Sequence, residues 1–458
     1  MEKSLLWELL STFSVTEKRR AVKFLASPYC NPKKEAAVLF NQLLIKQRTG
    51  NPPDRQALFA VVYPNRSFDP SAFRLLQSHL YKCLERFLIW EYCEAQPNIS
   101  NPLLLQAFRE RNLQRHLSKQ LKSTTLPKYE QAENHFFGYQ KERERYAFLA
   151  KESRNLKLNL QQTEDALDDA FAAYKLRQAC FTRSHESVFR TKYELRFLEP
   201  ILAYAAASDK PVLQIYRDCY LALFQDPTDE NFRKFRKSLF TIGSNFPPDE
   251  IRSFYISALN FCIRRINENK QLYLREAFEL YQNGLSNGAL FEKQELSRFS
   301  YNNLISIAIK LEEWDFIDHF IEKYTPFLPD AWRLVTVALN RARLAYSRKS
   351  YDDALVHLRD FDHQDLITNM TGKILLAKVY YDTQQQEVLS HHLNAVQRFL
   401  ERSKKTAYHH ENWTNVIRYF KKLNEVNWHD SKEVEALQSA IIEEAVLTEK
   451  KWLLERIE

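Results

Sequence analysis

The stretch EEWDFIDHFIEKY, which starts at Glu312, places apolar residues at helical spacing, and two later stretches repeat its pattern. KSYDDALVHLRDF starts at Lys349, 37 residues further on, and QQQEVLSHHLNAV starts at Gln384, after 35 more. Upstream, YLREAFELYQNGL has matching residues 40 positions earlier. The matched core positions hold, stretch by stretch, Ala277, Tyr281 and Gly284; Ile317, Ile321 and Tyr324; Ala354, Leu358 and Phe361; Leu389, Leu393 and Val396. The pattern indicates one structural unit repeated along the chain.

Each of these stretches follows another segment with helical periodicity, so the repeated unit is a pair of helices. The preceding segments are, in order, NFCIRRI, SYNNLISIAIKL, ALNRARLAYSRK and GKILLAKVYYDT. A single helix pair cannot bury its own apolar stripe, and pairs that recur every 35 to 40 residues therefore stack on their neighbours. The sequence predicts an all-α fold built as an α-solenoid.

The stretch LAYSRKSYDDALVHL resembles the tetratricopeptide (TPR) repeat family. The residues that carry this resemblance are the small–aromatic pair Ala345 and Tyr346, the aromatic Tyr351 (aligned with Trp314), the small Ala354, and Pro329 at the family's closing proline. The resemblance covers roughly residues 249–400 and implies a right-handed solenoid. The whole chain also resembles uncharacterised TPR-containing helical proteins of bacteria, a resemblance that implies no activity.

The repeats depart from the family pattern at two kinds of position. Where the family has a glycine before the second helix, this chain has Glu312, Lys349 and Gln384. Where the family has a small alanine, it has Ile317 and Leu389 in two of the units. One repeat therefore matches the family well and the other three are degenerate.

Composition and helix breakers divide the chain into four predicted segments. They are a basic N-terminal helical subdomain (1–95), a long-helix connecting region (96–200), the TPR-like solenoid (201–426, with its best repeats at 254–400) and an acidic C-terminal capping helix (427–458). The capping helix is expected to run from Ser431 onward and to turn Trp452 toward the array, with an acidic outer face that suits a terminal cap.

The net charge of +8 comes from the N-terminal third of the chain. Residues 1–160 have 26 Lys and Arg against 15 Asp and Glu, whereas residues 427–458 have 4 against 8. A basic segment of this kind binds nucleic acid or acidic protein surfaces in some proteins. In the alternative interpretation it is an ordinary solvated helical surface that happens to be basic. The candidate nucleic-acid residues Arg74, Lys82 and Arg86 lie outside the apolar stripe of a helix expected near residues 71–92. A helix-turn-helix-like unit is one reading of this subdomain.

Glycine and cysteine usage exclude several classes of protein. The six glycines form neither GxGxxG nor a P-loop, which excludes Rossmann and P-loop nucleotide binding. The six cysteines form no CxxC pair and fit reduced thiols, so we expect a cytoplasmic location. No run of about 18 apolar residues is present, and no membrane span is expected.

Catalytic and metal-binding motifs are also missing from the sequence. The doublets His391-His392 and His409-His410 point about 100° apart on a helix, and HExxH is absent. No GxSxG, SxxK or kinase-like set occurs. We therefore expect no enzymatic activity, no metal, no cofactor and no small-molecule substrate. A lone cysteine nucleophile is the remaining enzymatic alternative.

The resemblance implies where a ligand binds, because the first helix of each TPR pair lines the concave groove. The two groove positions of each unit are Arg343 and Tyr346, then Lys378 and Tyr381. In the first unit the corresponding region offers Asn302, Ser306 and Lys310. A stripe of cations and tyrosines suits an acidic peptide. In the alternative interpretation the tyrosines pack between helices and both cations are merely solvated.

These observations favour a non-catalytic scaffold or adaptor that binds a partner protein or peptide in the groove of a TPR-like solenoid. The alternative is a nucleic-acid-binding regulator that uses the basic N-terminal third. The sequence identifies neither the partner nor the oligomeric state.

Overall fold

The computed structural model describes residues 4–50, 53–123, 131–152, 158–189, 191–359, 361, 365–402 and 407–457. Within these ranges about 80% of the chain is helical, in 23 α-helices, so the predicted all-α fold is confirmed. The described chain forms two compact units, one up to Arg217 and one from Asp218 onward. Among the helices of the described ranges, none is both long enough and apolar enough to cross a membrane.

The helices that begin before residue 218 belong mostly to the first unit. They are α1 (Leu5–Thr12), α2 (Val15–Ala26), α3 (Lys34–Thr49), α4 (Arg55–Val62), α5 (Pro70–Ala95), α6 (Pro97–Glu110), α7 (Gln114–Ser123), α8 (Ala132–Glu152), α9 (Leu160–Phe189), α10 (Leu198–Ala207) and α11 (Pro211–Tyr220). A π-helical turn, Leu221–Gln225, follows α11.

The helices that begin after residue 218 belong to the second unit. They are α12 (Asp229–Ile242), α13 (Pro248–Asn267), α14 (Leu272–Ser286), α15 (Arg298–Lys310), α16 (Trp314–Tyr324), α17 (Asp330–Ser347), α18 (Tyr351–Leu358), α19 (Leu366–Asp382), α20 (Gln386–Arg402), α21 (Ala407–Glu425), α22 (Ser431–Glu443) and α23 (Lys450–Leu454). Short 3₁₀ turns lie at Gly243–Asn245 and Thr325–Phe327.

Helices α1 to α5 share one hydrophobic core, whose buried members run from Leu6 to Phe87. The stripe expected on α5 faces this core, because Phe73, Leu80 and Phe87 are buried. An aspartate begins the helix: Asp69 accepts hydrogen bonds from the backbone N–H groups of the first turn, ahead of Pro70. Further along the first unit, α6 packs on α7 and α8, and α8 packs on α9.

In the second unit the helices pack as consecutive pairs. The pairs α13/α14, α15/α16, α17/α18 and α19/α20 correspond to the four predicted repeats, and each pair also contacts the next one along the chain. The matched core positions are buried: Ala277, Ile317, Ala354 and Leu389 are all 0% exposed. Ile317 and Leu389 therefore fill the site that the family keeps small.

The same backbone turn joins the two helices of each pair. Asn269, Glu312, Lys349 and Gln384 have φ values of 64°, 57°, 60° and 59°, in the left-handed region. The residue after each of them donates its N–H to a carbonyl five positions earlier, as from Glu313 to Ala308 at 3.0 Å. This is the Schellman turn, whose left-handed position favours glycine because other residues have a Cβ that crowds the backbone.

The three departures from the family's glycine thus keep the backbone conformation that glycine favours. Glu312, Lys349 and Gln384 are exposed and left-handed, so the turn is formed against the preference of the side chain. The two flanking helices are held in place by their buried faces, and this packing offsets the strain of the left-handed residue between them.

A short β-hairpin lies between α14 and α15, where the sequence predicts no strand. Phe291–Glu292 pairs antiparallel with Glu295–Leu296. Its two turn residues, Lys293 and Gln294, have φ of 49° and 69°, which is the backbone of a type I′ turn. The turn carries neither asparagine nor glycine, and the strands are two residues long, so periodicity does not reveal them.

Glycine at residue 349 is expected to stabilise the second unit. The left-handed conformation costs a non-glycine residue about 1–2 kcal/mol, and the entropy that glycine loses offsets about 0.5–1 kcal/mol of the gain. Lys349→Gly should therefore raise the free energy of unfolding by about 0.5–1 kcal/mol, measured by urea denaturation. The control Lys349→Val should lower it, because a β-branched residue fits this region poorly. A lower stability for the glycine variant contradicts the argument.

Candidate peptide-binding groove

Four of the seven residues predicted to bind a partner lie on the last turns of two neighbouring helices. Arg343 and Tyr346 are one turn apart on α17, and Lys378 and Tyr381 are one turn apart on α19. Helices α17 and α19 are in contact. The spacing of three residues places each cation and tyrosine on one helix face, and the helix packing brings the two faces together.

These residues surround a segment near the end of the second unit, residues 449–457, which we call the C-terminal segment. Helix α22 ends at Glu443, and residues 444–448 connect it to the C-terminal segment, which contains α23. The sequence predicts one capping helix from Ser431 through Trp452. The structure differs, since Glu444 adopts an extended conformation and the chain turns before α23.

The connection before the C-terminal segment is fixed on α21. Asn412 exchanges hydrogen bonds with Thr448, donating to its hydroxyl at 3.1 Å and accepting from its backbone N–H at 2.8 Å. Asn415 donates to the carbonyl of Val446 at 3.0 Å. These amide contacts hold the chain so that residue 449 enters the groove.

The acidic end of the segment meets the cations of the stripe. The Glu449 carboxylate lies 2.5 Å from Nζ of Lys378, and the two side chains are 26% and 15% exposed. Burial lowers the pKa of the Arg343 guanidinium below its ordinary value, and the charge of Glu449 opposes this shift. Two cations therefore act on one carboxylate. Lys378 is ion-paired rather than solvated.

The tryptophan of the segment fills the space between the two tyrosines. Trp452 is 8% exposed, and its ring lies 5.5 Å from that of Tyr381 in an edge-to-face arrangement. Its indole N–H donates to the hydroxyl of Tyr346 at 2.6 Å. Phe420 of α21 stacks on its other side at 4.8 Å, and Nζ of Lys378 lies 5.4 Å from the ring centroid. The indole thus has a polar partner, aromatic partners and a cation.

Asp382, at the end of α19, completes the groove. It accepts a 2.6 Å hydrogen bond from the Tyr346 hydroxyl and a two-point contact from Arg456, at 2.8 and 3.0 Å. Burial and the Asp382 carboxylate raise the pKa of Tyr346, and the hydrogen bond to Asp382 raises the pKa of Arg456. The tyrosine remains a neutral donor and the arginine a cation, which are the states this arrangement requires.

Four residues predicted from the sequence lie around the C-terminal segment, and sequence reasoning missed the other residues of this arrangement. Those residues are Asp382, Glu449 and Arg456, together with the role of Trp452 as an occupant rather than a cap. A signal was present, because Glu449 and Trp452 are three residues apart in an acidic region. That spacing puts a carboxylate and an aromatic ring on one face of a helix.

The remaining predicted groove residues lie on α15, one helix pair earlier. Asn302 accepts a 2.6 Å hydrogen bond from the buried amide of Asn340 on α17. Ser306 is half-buried and Lys310 is exposed. Asn302 therefore joins two helices, and Lys310 adds a solvent-facing cation on α15.

The three candidate nucleic-acid residues are exposed on α5 but line different surfaces. Arg86 donates to the carbonyl of Cys30 at 2.6 Å and lines a cleft of about 1070 Å³. Arg74 lines another, of about 540 Å³, that contains Phe68. Lys82 lines neither of these two clefts. The arginines are thus not neighbours in a single stripe.

The histidine doublets form no metal site in the described part of the chain. No group of three or more His, Cys, Asp or Glu side chains there is arranged to hold a metal ion. His392 instead hydrogen-bonds the carbonyl of Lys373 at 2.8 Å. The side chain of His409 lies outside the described residues.

Comparison of the chain with models of known protein families, with curated proteins and with solved structures found no match.

Reversing the charge of Lys378 is expected to release the C-terminal segment. Lys378→Glu places a carboxylate against Glu449 in a largely buried pair, which should lower the free energy of unfolding by about 2 kcal/mol. Amide hydrogen exchange in residues 449–457 should become faster. The double variant Lys378→Glu/Glu449→Lys should regain most of the protection. Equal exchange in the wild type and the single variant would show that the ion pair does not hold the segment.

Stability should also depend on pH through His392. Burial lowers the pKa of His392 below its ordinary value of 6.5. The folded chain therefore binds fewer protons than the unfolded chain, so this contribution is complete above pH 6.5 and is lost as the pH falls toward the folded-state pKa. His392→Gln keeps a donor for the Lys373 carbonyl, and its unfolding free energy should fall less between pH 7 and pH 5. Parallel pH profiles in urea denaturation would refute this role.

Proposed function

We propose that the chain is a non-catalytic interaction protein, whose second unit is a right-handed TPR-like α-solenoid that binds a partner protein through the groove of α15, α17 and α19. The observation that carries the proposal is the C-terminal segment itself. A short stretch of polypeptide that carries a carboxylate and an indole lies against Arg343, Tyr346, Lys378 and Tyr381, which are the residues that a bound peptide would contact.

The chemistry of the groove supports peptide recognition. Lysine and arginine supply charge-assisted hydrogen bonds for a carboxylate, and tyrosines supply rings and hydroxyl groups at a small entropic cost. The shared turn at Glu312, Lys349 and Gln384 supports the repeat architecture, because each pair then presents its first helix in the same way. The exposed Lys310 gives a longer ligand a further cation on α15.

Affinity capture with three full-length baits tests this function. The baits are the wild type, an open variant with Glu449→Gln and Trp452→Ala, and the open variant with Lys378→Glu added, so that the segment itself cannot form a reversed ion pair with residue 378. The open variant should enrich specific proteins from lysate of the native cell more than the wild type does. Adding Lys378→Glu should remove them, because the groove then repels an acidic ligand.

Matching circular dichroism and melting curves would show that the three baits are equally folded. If folded baits capture the same proteins in the same amounts, the groove is not the binding surface.

A further inference from the structure

We infer that the groove selects a carboxylate followed three residues later by tryptophan, and that the C-terminal segment competes for it with partner segments of that chemistry. The inference rests on the proposed function and names its partner class. Its basis is the fit of Glu449 and Trp452 to separate sets of groove residues.

The contacts of Lys378 favour a spacing of three residues between the carboxylate and the tryptophan. Glu449 immediately precedes α23, so its side chain and that of Trp452 lie on the same side of a single helical turn. Lys378 bridges them, since its ammonium group is 2.5 Å from the carboxylate and 5.4 Å from the indole centroid. A ligand with another spacing cannot satisfy both contacts of this one lysine.

The tryptophan is distinguished from other aromatic residues by its N–H group. The Tyr346 hydroxyl donates its own hydrogen to Asp382 and so presents an acceptor lone pair to the ligand. The indole N–H of Trp452 donates to that oxygen at 2.6 Å. Phenylalanine has a ring but no donor, and it would leave this buried oxygen without the hydrogen bond.

The cations Lys378 and Arg343 favour a ligand that has a carboxylate at the position of Glu449. Lys378 and Arg343 both act electrostatically on Glu449, and Arg343 is half-buried. When the segment leaves, the two cations exchange their counter-charge for water, and another carboxylate would restore the charge-assisted contact with Lys378. The groove therefore exchanges one occupant that carries a carboxylate at this position for another.

Departure of the C-terminal segment breaks its own contacts and leaves the chain before it attached. Residues 444–448 remain bound to α21 through Asn412 and Asn415, whereas the segment loses its packing on α22 and the 2.9 Å hydrogen bond from Lys450 to the carbonyl of Ile442. Helix α23 has only five residues, and Lys451 and Glu455 on its outer side are exposed. Trp452 and the buried Leu453 are its apolar anchors.

A labelled peptide of residues 446–457 tests the inference on full-length protein by fluorescence anisotropy. The open variant (Glu449→Gln, Trp452→Ala) should bind the peptide at least about tenfold more tightly than the wild type, whose groove is already filled. Peptides with Trp452→Phe or Glu449→Lys should each bind the open variant about tenfold more weakly than the unmodified peptide. Adding Lys378→Glu to the open variant should restore binding of the Glu449→Lys peptide.

The inference is overturned if the wild type and the open variant bind the peptide equally, or if the Trp452→Phe peptide binds as well as the original. It is also overturned if the wild type forms a dimer with exchanged C-terminal segments, seen by size-exclusion chromatography across concentrations. If the open variant fails to fold, amide hydrogen exchange on the wild type tests the inference instead. Excess peptide should displace the C-terminal segment and so accelerate exchange in residues 449–457, and unchanged exchange would contradict the inference.

Failure of this experiment is distinct from failure of the proposed function. If a partner is captured through the groove and the peptide does not compete with it, the proposed function is supported and the inferred selectivity for a carboxylate and a tryptophan is wrong. Tight peptide binding with no groove-dependent partner removes the function and leaves the segment as an internal ligand.

Discussion

The left-handed turn residue between the helices of each pair is the constraint on which the second unit depends. At Glu312, Lys349 and Gln384 one residue with φ near 60° ends a helix and lets the next begin two residues later. So short a connection leaves little freedom in how the pair packs. Helices α17 and α19 are in contact, and Arg343 of the one and Lys378 of the other both act on the Glu449 carboxylate.

Much of this arrangement could be predicted from the sequence because it follows from local periodicity. The apolar spacing around Ile317 and Ala354 identifies the helix pairs and the faces they bury. The helix pairs depend on residues close together in the chain, and periodicity reports them directly. The stripe of Arg343, Tyr346, Lys378 and Tyr381 does not follow from periodicity, because only the resemblance to the TPR family implies that these positions line a groove.

The occupant of the groove could not be predicted in this way. Trp452 and its hydrogen-bond acceptor Tyr346 are separated by 106 positions in the chain, and periodicity does not tell which distant segment covers a given face. The end of α22 at Glu443 is also not marked by proline or glycine, so a continuous helix was the natural expectation. The β-hairpin at Phe291–Leu296 was missed because each strand has two residues.

The attachment of residues 444–448 to α21 has a quantitative consequence for any external ligand. A segment held this close to its own site has an effective concentration on the order of millimolar. A partner peptide of equal intrinsic affinity, present at micromolar concentration, would fill only about one groove in a thousand. On the proposed function, a partner would therefore have to gain affinity from contacts beyond those that the C-terminal segment makes.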